Sequence, residues 1–339
     1  MYYSFGDKFM KKILSVMLVI ALGISLCLFG ACGERGDVSI VAPNGAPFAA
    51  LADMWGESLD DRNVSYEVIT EANVRTKMIS GEADFIVAPV NIGNAVHALY
   101  KKGELTHDYK LLNVTSWGVL YFVTNDPLYK DRDDCADAAE FLAQFGGKTV
   151  QTIGEQAIPG QTAKYLFSYA NAENPVTLDG VSDASIIQQT FISTAADSTD
   201  TLTAVFAEPA ITATAASIKA NGKKPLRVLG SVGEIYKEIT GNDFPMAGMF
   251  VRADFYETDK AFADKLNERV ASSVEKFNND IASVAEKIGN MENAPLPSAI
   301  LPKACSKMNV RFGNSSDSKA AVQTLIASIG GNAPDDLFV

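Results

Sequence analysis

The stretch GEADFIVAPVNIGN, residues 81–94, decides the fold of this chain. Residues 85–88 are a short apolar run that ends at Pro89, a pattern typical of a buried strand. Asn91 or Asn94 then offers the N-cap of a helix. Open α/β sheets bind ligands outside the carboxyl ends of their strands, and the free amides of a helix start attract anions and acceptor atoms. The stretch therefore predicts either a ligand-binding loop or an ordinary connection between a strand and a helix.

Similar strand and helix patterns alternate along the whole chain. Strands are predicted at residues 38–42 and 64–69 before the opening stretch, and at 149–153, 203–207 and 226–229 after it. Helical patterns separate these strands, which favours largely parallel sheets with crossover helices. The fold class predicted from this order is α/β.

Two further helical patterns and one break complete the organisation of the chain. Leu51, Met54 and Leu59 are spaced as one face of a helix, and residues 254–289 keep helical spacing throughout. The run Asn-Asp-Pro at residues 125–127 interrupts the pattern, which predicts a domain boundary near residue 125.

The length and charge of the chain exclude some classes of protein. With 339 residues it is long enough for two domains, and 47% hydrophobic with 21% charged residues is normal for a globular protein. The formal net charge is −12, and because residues 1–31 hold three lysines and one aspartate, the remainder carries −14. A body this acidic repels phosphate backbones, so we expect no nucleic-acid binding.

The first 31 residues have the order of a secretion signal. A basic start at residues 10–12 precedes an apolar run over residues 13–29 and the small residues before Cys32. A transmembrane helix is the alternative, since the apolar run is only slightly short of a full span. Residues 28–32 resemble a bacterial lipobox, which implies a signal peptide at residues 1–31 and lipidation of Cys32.

The chain offers little for metal or cofactor chemistry. Cys135 and Cys305 remain in the exported body, far apart in sequence, and two unpaired thiols are the expected state. There is no CxxC, no cluster of histidine with cysteine and no Glu-x-x-His element, so we predict no metal and no cofactor. His97 and His107 are expected to be helix and turn residues.

Four short stretches, in their order and spacing, carry a family resemblance. They lie at residues 81–85, 115–120, 204–210 and 244–251, behind the lipobox. The chain resembles the extracytoplasmic solute-binding proteins of ABC importers for nitrate, sulfonates, taurine and thiamine-pyrimidine precursors. This resemblance implies the type II periplasmic-binding-protein fold, an α/β fold with two Rossmann-like lobes joined by two hinge strands and a ligand cleft between the lobes.

The resemblance also implies domain limits and site residues. The crossings between lobes fall near residues 124–125 and 244–248, so that residues 37–124 and 247–339 form lobe 1 and residues 125–246 form lobe 2. The implied ligand-binding residues of lobe 1 are Gly45, Ala46, Phe48, Asn91, Asn94, Ser116 and Trp117. Those of lobe 2 are Gly160, Gln161, Thr162 and Glu208.

Several of these residues have a structural alternative. Trp117 either stacks on a ligand ring or covers the core beside the hinge, and Phe48 either lines the pocket or belongs to the core. Asn91 and Asn94 are either ligand donors or helix caps. Glu208 is either a cleft carboxylate, which would require a cationic or hydrogen-donating partner, or a surface residue in a salt bridge.

The function implied by the resemblance is that of a transport receptor. A monomer, anchored by lipid outside the cytoplasmic membrane, would close its lobes on a small polar organic solute and pass it to an ABC permease. The solute would be a sulfonate, taurine or a pyrimidine precursor. The alternatives are a biosynthetic enzyme of the same fold, of menaquinone or thiamine-pyrimidine type, and a lipoprotein that presents the solute to a sensory receptor.

Overall fold

The described part of the chain, residues 37–339 of a computed structural model, contains two mixed β-sheets. The first sheet has the strand order β11-β4-β10-β3-β1-β2. Its strands β1, β2 and β3 are parallel to one another, and β10 runs antiparallel between β3 and β4. The strands are β1 Val38–Pro43, β2 Val64–Ile69, β3 Phe85–Pro89, β4 Tyr109–Trp117, β10 Pro245–Arg252 and β11 Val310–Asn314.

The second sheet has five strands in the order β7-β6-β8-β5-β9. Strands β6, β7 and β8 are parallel, and β5 runs antiparallel between β8 and β9. The predicted α/β class is therefore confirmed, with β10 and the edge strand β11 running against the other strands of the first sheet and β5 against those of the second. The strands are β5 Leu120–Thr124, β6 Thr149–Ile153, β7 Thr177–Val181, β8 Thr203–Ala207 and β9 Arg227–Ser231.

Helices connect these strands and close the chain. They are α1 Ala46–Ala49, α2 Val74–Ser80, α3 Val90–Lys101, α4 Ala138–Ala143, α5 Ile158–Ala170, α6 Ala184–Ser193, α7 Ala210–Ala220, α8 Val232–Thr240, α9 Ala253–Thr258, α10 Lys260–Asn279, α11 Ile281–Gly289, α12 Leu301–Ala304 and α13 Ser315–Ser328. Within residues 37–339 no helix has the length and apolar character that crossing a bilayer requires. The signal peptide and Cys32 lie outside the described residues.

Two of the sequence-based helix predictions need correction. The pattern through Leu51 and Leu59 is not one helix, because α1 ends at Ala49 and turns follow. The pattern over residues 254–289 is three helices, because the carboxylates of Asp259 and Asp280 accept hydrogen bonds from backbone amides and start α10 and α11. A side-chain cap stabilises the start of a new helix. The spacing of the apolar residues alone therefore does not show where one helix ends and the next begins.

The first passage between the sheets lies at Gly118 and Val119, earlier than the expected crossing at residues 124–125. Residues 120–124 had been placed before the crossing, but they form β5 and pair with β8 and β9 in the second sheet. Gly118 has a φ of 62°, and a Cβ added to it would lie 3.2 Å from the Cα of Gly233. Only glycine fits this turn without strain.

The C-terminal residues are fastened to the first sheet by a buried histidine. His97 is 1% exposed, and its Nδ1 and Nε2 lie 2.8 Å and 3.3 Å from carboxylate oxygens of Asp108 and Asp336. Lys101 adds an exposed ion pair to Asp336 at 2.7 Å. The amide of Val339 donates to the carbonyl of Leu111. The sequence reading of His97 as a helix residue is confirmed, but nothing in the sequence indicated its two carboxylate neighbours.

Acid is expected to release this C-terminal segment. The hydrogen bond from Lys101, with His97 nearby, lowers the pKa of Asp336 from 3.8 to about 2. A lowered folded-state pKa means that the contribution to stability is complete above pH 4 and disappears as the pH falls toward 2. We therefore expect the NMR signal of the Val339 amide to leave its native position over that range. Lys101→Ala should move the midpoint upward, and an unchanged midpoint in that variant would contradict the assignment.

Candidate functional site

Two helices that follow parallel strands, one from each sheet, come into contact at their first turns. Asn91, in the first turn of α3, donates through Nδ2 to Oε1 of Gln161, in the first turns of α5, at 3.5 Å. α3 follows β3 in the first sheet, and α5 follows β6 in the second. Two residues that were predicted for the ligand loops of different lobes therefore meet in the structure.

The two helices that meet at this contact begin without a side-chain cap. Within the described chain, no side chain caps α3, which follows Pro89, or α5, which follows Ala157. By contrast, Asp137, Asp183 and Ser231 cap α4, α6 and α8. The first amides of an uncapped helix lack intrahelical partners, so those of α3 and α5 are available to an acceptor group.

The helix starts differ slightly from the sequence-based ones. α3 begins at Val90, so Asn91 and Asn94 lie inside the helix and neither is its cap. At these positions neither amide side chain is used to cap the helix. α5 begins at Ile158, so the predicted ligand residues Gly160, Gln161 and Thr162 lie within its first two turns.

Three polar oxygens in the first two turns of α3 and α5 have no partner within residues 37–339. Oδ1 of Asn91, Oδ1 of Asn94 and Oγ1 of Thr162 are buried atoms with no hydrogen-bond partner among the described residues. The side chain of Thr162 is completely buried. Buried polar atoms are nearly always hydrogen-bonded in native proteins, so these three call for a partner from outside the chain, either water or a ligand.

The predicted loop after β1 is close to the second sheet but partly built into the core. Ala46 and Phe48 belong to a hydrophobic cluster against which Ala207 of the second sheet packs. Phe48 has no exposed surface, and its ring meets that of Trp55 at 4.8 Å, edge to face. The structure thus gives Phe48 a core position. Gly45, with a φ of 94°, forms the turn before α1.

Trp117 does not present a free ring face to the cleft. Its Nε1 donates to the carbonyl of Arg311 at 3.0 Å, and the Arg311 guanidinium lies 4.3 Å from the ring centroid. Asp243 holds that guanidinium in place at 2.6 Å. The stacking partner of Trp117 in this conformation is therefore a side chain of the same protein. Ser116, next to it, is buried in β4.

Gly160 and Glu208 each stabilise the local structure at the start of a helix. A Cβ on Gly160 would lie 2.3 Å from the carbonyl oxygen of Gly154, so glycine lets α5 pack against the loop before it. Glu208, 3% exposed, accepts from the amide of Thr212 at 3.0 Å and from the Thr212 hydroxyl at 2.9 Å. It therefore braces the start of α7 rather than forming a surface salt bridge, and each oxygen keeps a second lone pair.

A polar cavity beside the first passage was not expected from the sequence. Its volume is about 350 Å³, and it is lined by Tyr121, residues 131–133, residues 228–231, Glu234, Ser306 and Asn309. Strands β5 and β9 of the second sheet and the segment before β11 therefore enclose it. Burial, with the nearby Glu208 and Glu234, raises the pKa of Tyr121 to about 12. The cavity lies away from the contact between α3 and α5, and no motif in the sequence pointed to it.

The structure shows the state of both cysteines and the arrangement of the side chains that could hold a metal ion in residues 37–339. Cys135 and Cys305 are both free thiols in the described chain. No group of three histidine, cysteine, aspartate or glutamate side chains within residues 37–339 is arranged to hold a metal ion.

Comparisons with known proteins find likeness in structure only. No protein-family model and no curated protein sequence matches this chain. Among solved structures, an ABC transporter protein from Parabacteroides distasonis is 17% identical, with a TM-score of 0.63 and coverage of 90% of this chain and 99% of its own.

Two further structures are similar to the same extent. The alkanesulfonate-binding protein SsuA of Xanthomonas axonopodis pv. citri, bound to MOPS, is 10% identical over 91% of this chain and 98% of its own, with a TM-score of 0.61. The zinc-bound ligand-binding component of an ABC-type import system from Staphylococcus aureus is also 10% identical, over 90% and 96%, with a TM-score of 0.61. These likenesses span nearly the whole of each chain, so the protein has the periplasmic-binding-protein fold.

Proposed function

We propose that this protein is the extracytoplasmic solute-binding receptor of an ABC importer and performs no chemistry. Each sheet with its helices would be one lobe, and the lobes would close on a small polar organic solute of sulfonate, taurine or pyrimidine-precursor type. The passages at residues 118–119 and 241–244 would be the hinges. The structural neighbours with ABC-import names support this reading, because they have the same fold over nearly the same length.

The observation that carries the proposal is the meeting of two uncapped helices at the interlobe contact. The starts of α3 and α5 bring free amides from both lobes to one place, beside Asn91, Gln161 and the unpartnered hydroxyl of Thr162. A solute between them would receive hydrogen bonds from both lobes, and such two-sided contact is what stabilises a closed form.

The proposal includes location and partner. Export by the segment at residues 1–31 and lipidation of Cys32 would hold the receptor on the outer face of the membrane, as a monomer next to its permease. Gly45, Ala46, Asn91, Asn94, Gln161, Thr162 and Glu208 remain the proposed ligand residues, with Ser116, Trp117 and Gly160 supporting them.

A thermal-shift screen tests solute binding directly. The protein from Gly33 onward would be heated with sulfonates, taurine, nitrate, pyrimidines, riboflavin and amino acids. A solute at a hundred times its dissociation constant stabilises the folded state by about 2.7 kcal/mol, a shift that the screen resolves. A protein that no member of such a library stabilises would not be the proposed receptor.

Asn91→Ala should weaken the binding of any solute found by about tenfold, since it removes a polar contact worth about 1.4 kcal/mol between buried groups. Isothermal titration calorimetry measures the affinity. The matched control is Asn290→Ala, because Asn290 is an exposed asparagine at the end of α11 and should leave affinity unchanged. Equal affinity in the two variants would remove Asn91 from the site.

A further inference from the structure

One short segment near the C-terminus contacts both places where the chain passes between the two sheets. It covers residues 307–311, just before and at the start of β11, and we call it the hinge strap. The chain leaves the first sheet at residues 118–119 and returns to it at residues 241–244, between α8 and β10. The strap is remote from the first passage in sequence, since Asn309 and Gly118 are 191 positions apart. Their contact is therefore a product of the fold.

At the first passage the strap is hydrogen-bonded to the backbone on both sides of the turn. The amide of Trp117 donates to the carbonyl of Asn309 at 3.1 Å, and Nδ2 of Asn309 donates to the carbonyl of Gly118 at 3.2 Å. Nε1 of Trp117 donates to the carbonyl of Arg311 at 3.0 Å. Asn309 thus joins the last residue of β4 and the turn that leads to the second sheet.

At the second passage one carboxylate joins the strap to a helix of the second sheet. Oδ2 of Asp243 lies 2.6 Å from a guanidinium nitrogen of Arg311, and Oδ1 lies 2.9 Å from Nζ of Lys237. Arg311 belongs to β11 in the first sheet, and Lys237 belongs to α8, which follows β9 in the second. The same guanidinium lies 4.3 Å from the ring centroid of Trp117. The side chain of Arg311 therefore contacts a residue at each passage.

The strap is fixed to the first sheet and also reaches the second sheet directly. Nδ2 of Asn278 on α10 donates to the carbonyl of Val310 at 2.8 Å, and Val310 pairs with Ser116 of β4. On the other side, the hydroxyl of Tyr121 in β5 donates to the carbonyl of Lys307 at 2.8 Å. Because these contacts end on different sheets, a rotation of one sheet against the other strains or breaks some of them.

We infer that the hinge strap is a third, non-covalent connection between the lobes and holds them in the arrangement of this structure, with α3 and α5 in contact. The inference rests on the proposed function for the motion that the strap restrains, the rotation of the lobes about the two passages. The apparent affinity for a solute depends on the fraction of molecules whose lobes are in the binding arrangement. Asn309, Arg311 and Asp243 are therefore positioning residues, which influence solute capture without touching the solute.

Residual dipolar couplings of the backbone amides, measured by NMR on the solute-free protein from Gly33 onward, test the inference. The couplings of each sheet report the orientation of that sheet in the aligning medium. Two sheets with a fixed mutual orientation therefore fit one alignment tensor. We expect the parent protein to fit one tensor with its sheets oriented as in this structure. A parent protein whose two sheets do not fit that orientation would overturn the inference.

The test variant combines Asn309→Gly with Asp243→Asn. Asn309 has a φ of 46°, which glycine adopts without strain, so the first change removes the side-chain bond to Gly118 and leaves the backbone conformation accessible. The second change removes the charge that pairs with Arg311 and Lys237 and keeps the shape of the side chain. Each loss should lower the ratio of the described arrangement to other arrangements by up to about fivefold. We expect the two sheets of this variant to fit no common tensor.

The matched control combines Asn293→Gly with Asp264→Asn. Asn293 is an exposed asparagine with a φ of 54°, and Asp264 forms a surface ion pair with Lys260 on α10. The control therefore makes the same two changes in similar local settings outside the strap. It should keep the single tensor of the parent.

The remaining outcomes decide against the inference. A common tensor that survives in the test variant, or that is lost in the control as well, would overturn it. So would a test variant in which the couplings of one sheet alone no longer fit that sheet, since the strap would then belong to the fold of a single lobe. The measurement contains no solute, so its result leaves the proposed receptor function to the thermal-shift screen.

Discussion

Gly248→Ala is expected to lower the free energy of unfolding by about 3 kcal/mol, at the upper end of what overpacking costs. Gly248 lies in β10, where it pairs with Ala88 of β3 and Val114 of β4. A Cβ at this position would be 2.1 Å from the carbonyl oxygen of Asn113 and 2.9 Å from a methyl of Leu111. The Asn113 oxygen belongs to the backbone of β4, so no rotation of a side chain relieves its contact with the new Cβ.

Urea unfolding followed by circular dichroism measures this loss. The control is Gly289→Ala at the end of α11, where the nearest atom to a new Cβ is the hydroxyl of Ser298 at 3.1 Å. A single hydroxyl is able to rotate away, so this variant should stay within about 0.5 kcal/mol of the parent. Equal stabilities of the two variants would show that β10 and β4 are not as closely paired as described.

His97→Ala is expected to destabilise the protein by about 3 kcal/mol, because it takes one hydrogen-bond partner away from the buried carboxylate of Asp108. Asp108 is 3% exposed, and hydrogen bonds from His97 and Lys110 lower its pKa although burial opposes them. Without the imidazole, Lys110 at 2.9 Å and the amide of Tyr109 at 2.8 Å are the partners of Asp108 that remain.

The matched control for His97 is Lys101→Ala, which also removes a partner of Asp336. Lys101 and Asp336 are 55% and 49% exposed, and exposed ion pairs contribute little, so this loss should be below about 1 kcal/mol at neutral pH. Differential scanning calorimetry compares the two variants. A loss for Lys101→Ala as large as that for His97→Ala would place the stabilising interaction at the surface instead.

Residues 81–94 show which structural features a sequence pattern predicts and which it does not. An apolar run bounded by turn residues and Pro89 was enough to predict β3, because a buried strand in a parallel sheet needs little else. The start of α3 was misplaced because Asn91 and Asn94 have side chains that favour caps, while the chain instead enters the helix directly from Pro89. Local preference was overridden by the packing of the helix; Gly93, for example, lies directly over the ring of Phe250.

The first crossing was misplaced for a related reason. Residues 109–124 form two buried strands in succession, and nothing local in their sequence shows that the second strand joins the other sheet. The break is set by the left-handed turn at Gly118 and its contact with Gly233, a residue more than a hundred positions later in the chain. Contacts of that range are not visible in a local pattern.

Some contacts of the candidate site were predicted from the sequence, and others were not. Asn91 and Gln161 come together as the family resemblance implied, because each lies beyond the carboxyl end of a parallel strand in its own sheet. Trp117 was a reasonable stacking candidate, but Arg311 reaches it from β11, a strand that the sequence analysis did not predict.

The measurement that tests the central claim most directly is amide hydrogen exchange, followed by NMR, with and without the solute that raises the melting temperature most in the screen. Amides in the first turns of α3 and α5 have no intrahelical acceptor and should exchange rapidly in the free protein. We predict that the solute slows exchange at residues 90–92 and, in α5, at Ile158 and Gly160 together; Pro159 has no amide hydrogen, and the amide of Gln161 already donates to the carbonyl of Ala157. Slowed exchange confined to the cavity lined by residues 228–231, with both helix starts unchanged, would contradict a solute site between the lobes at α3 and α5.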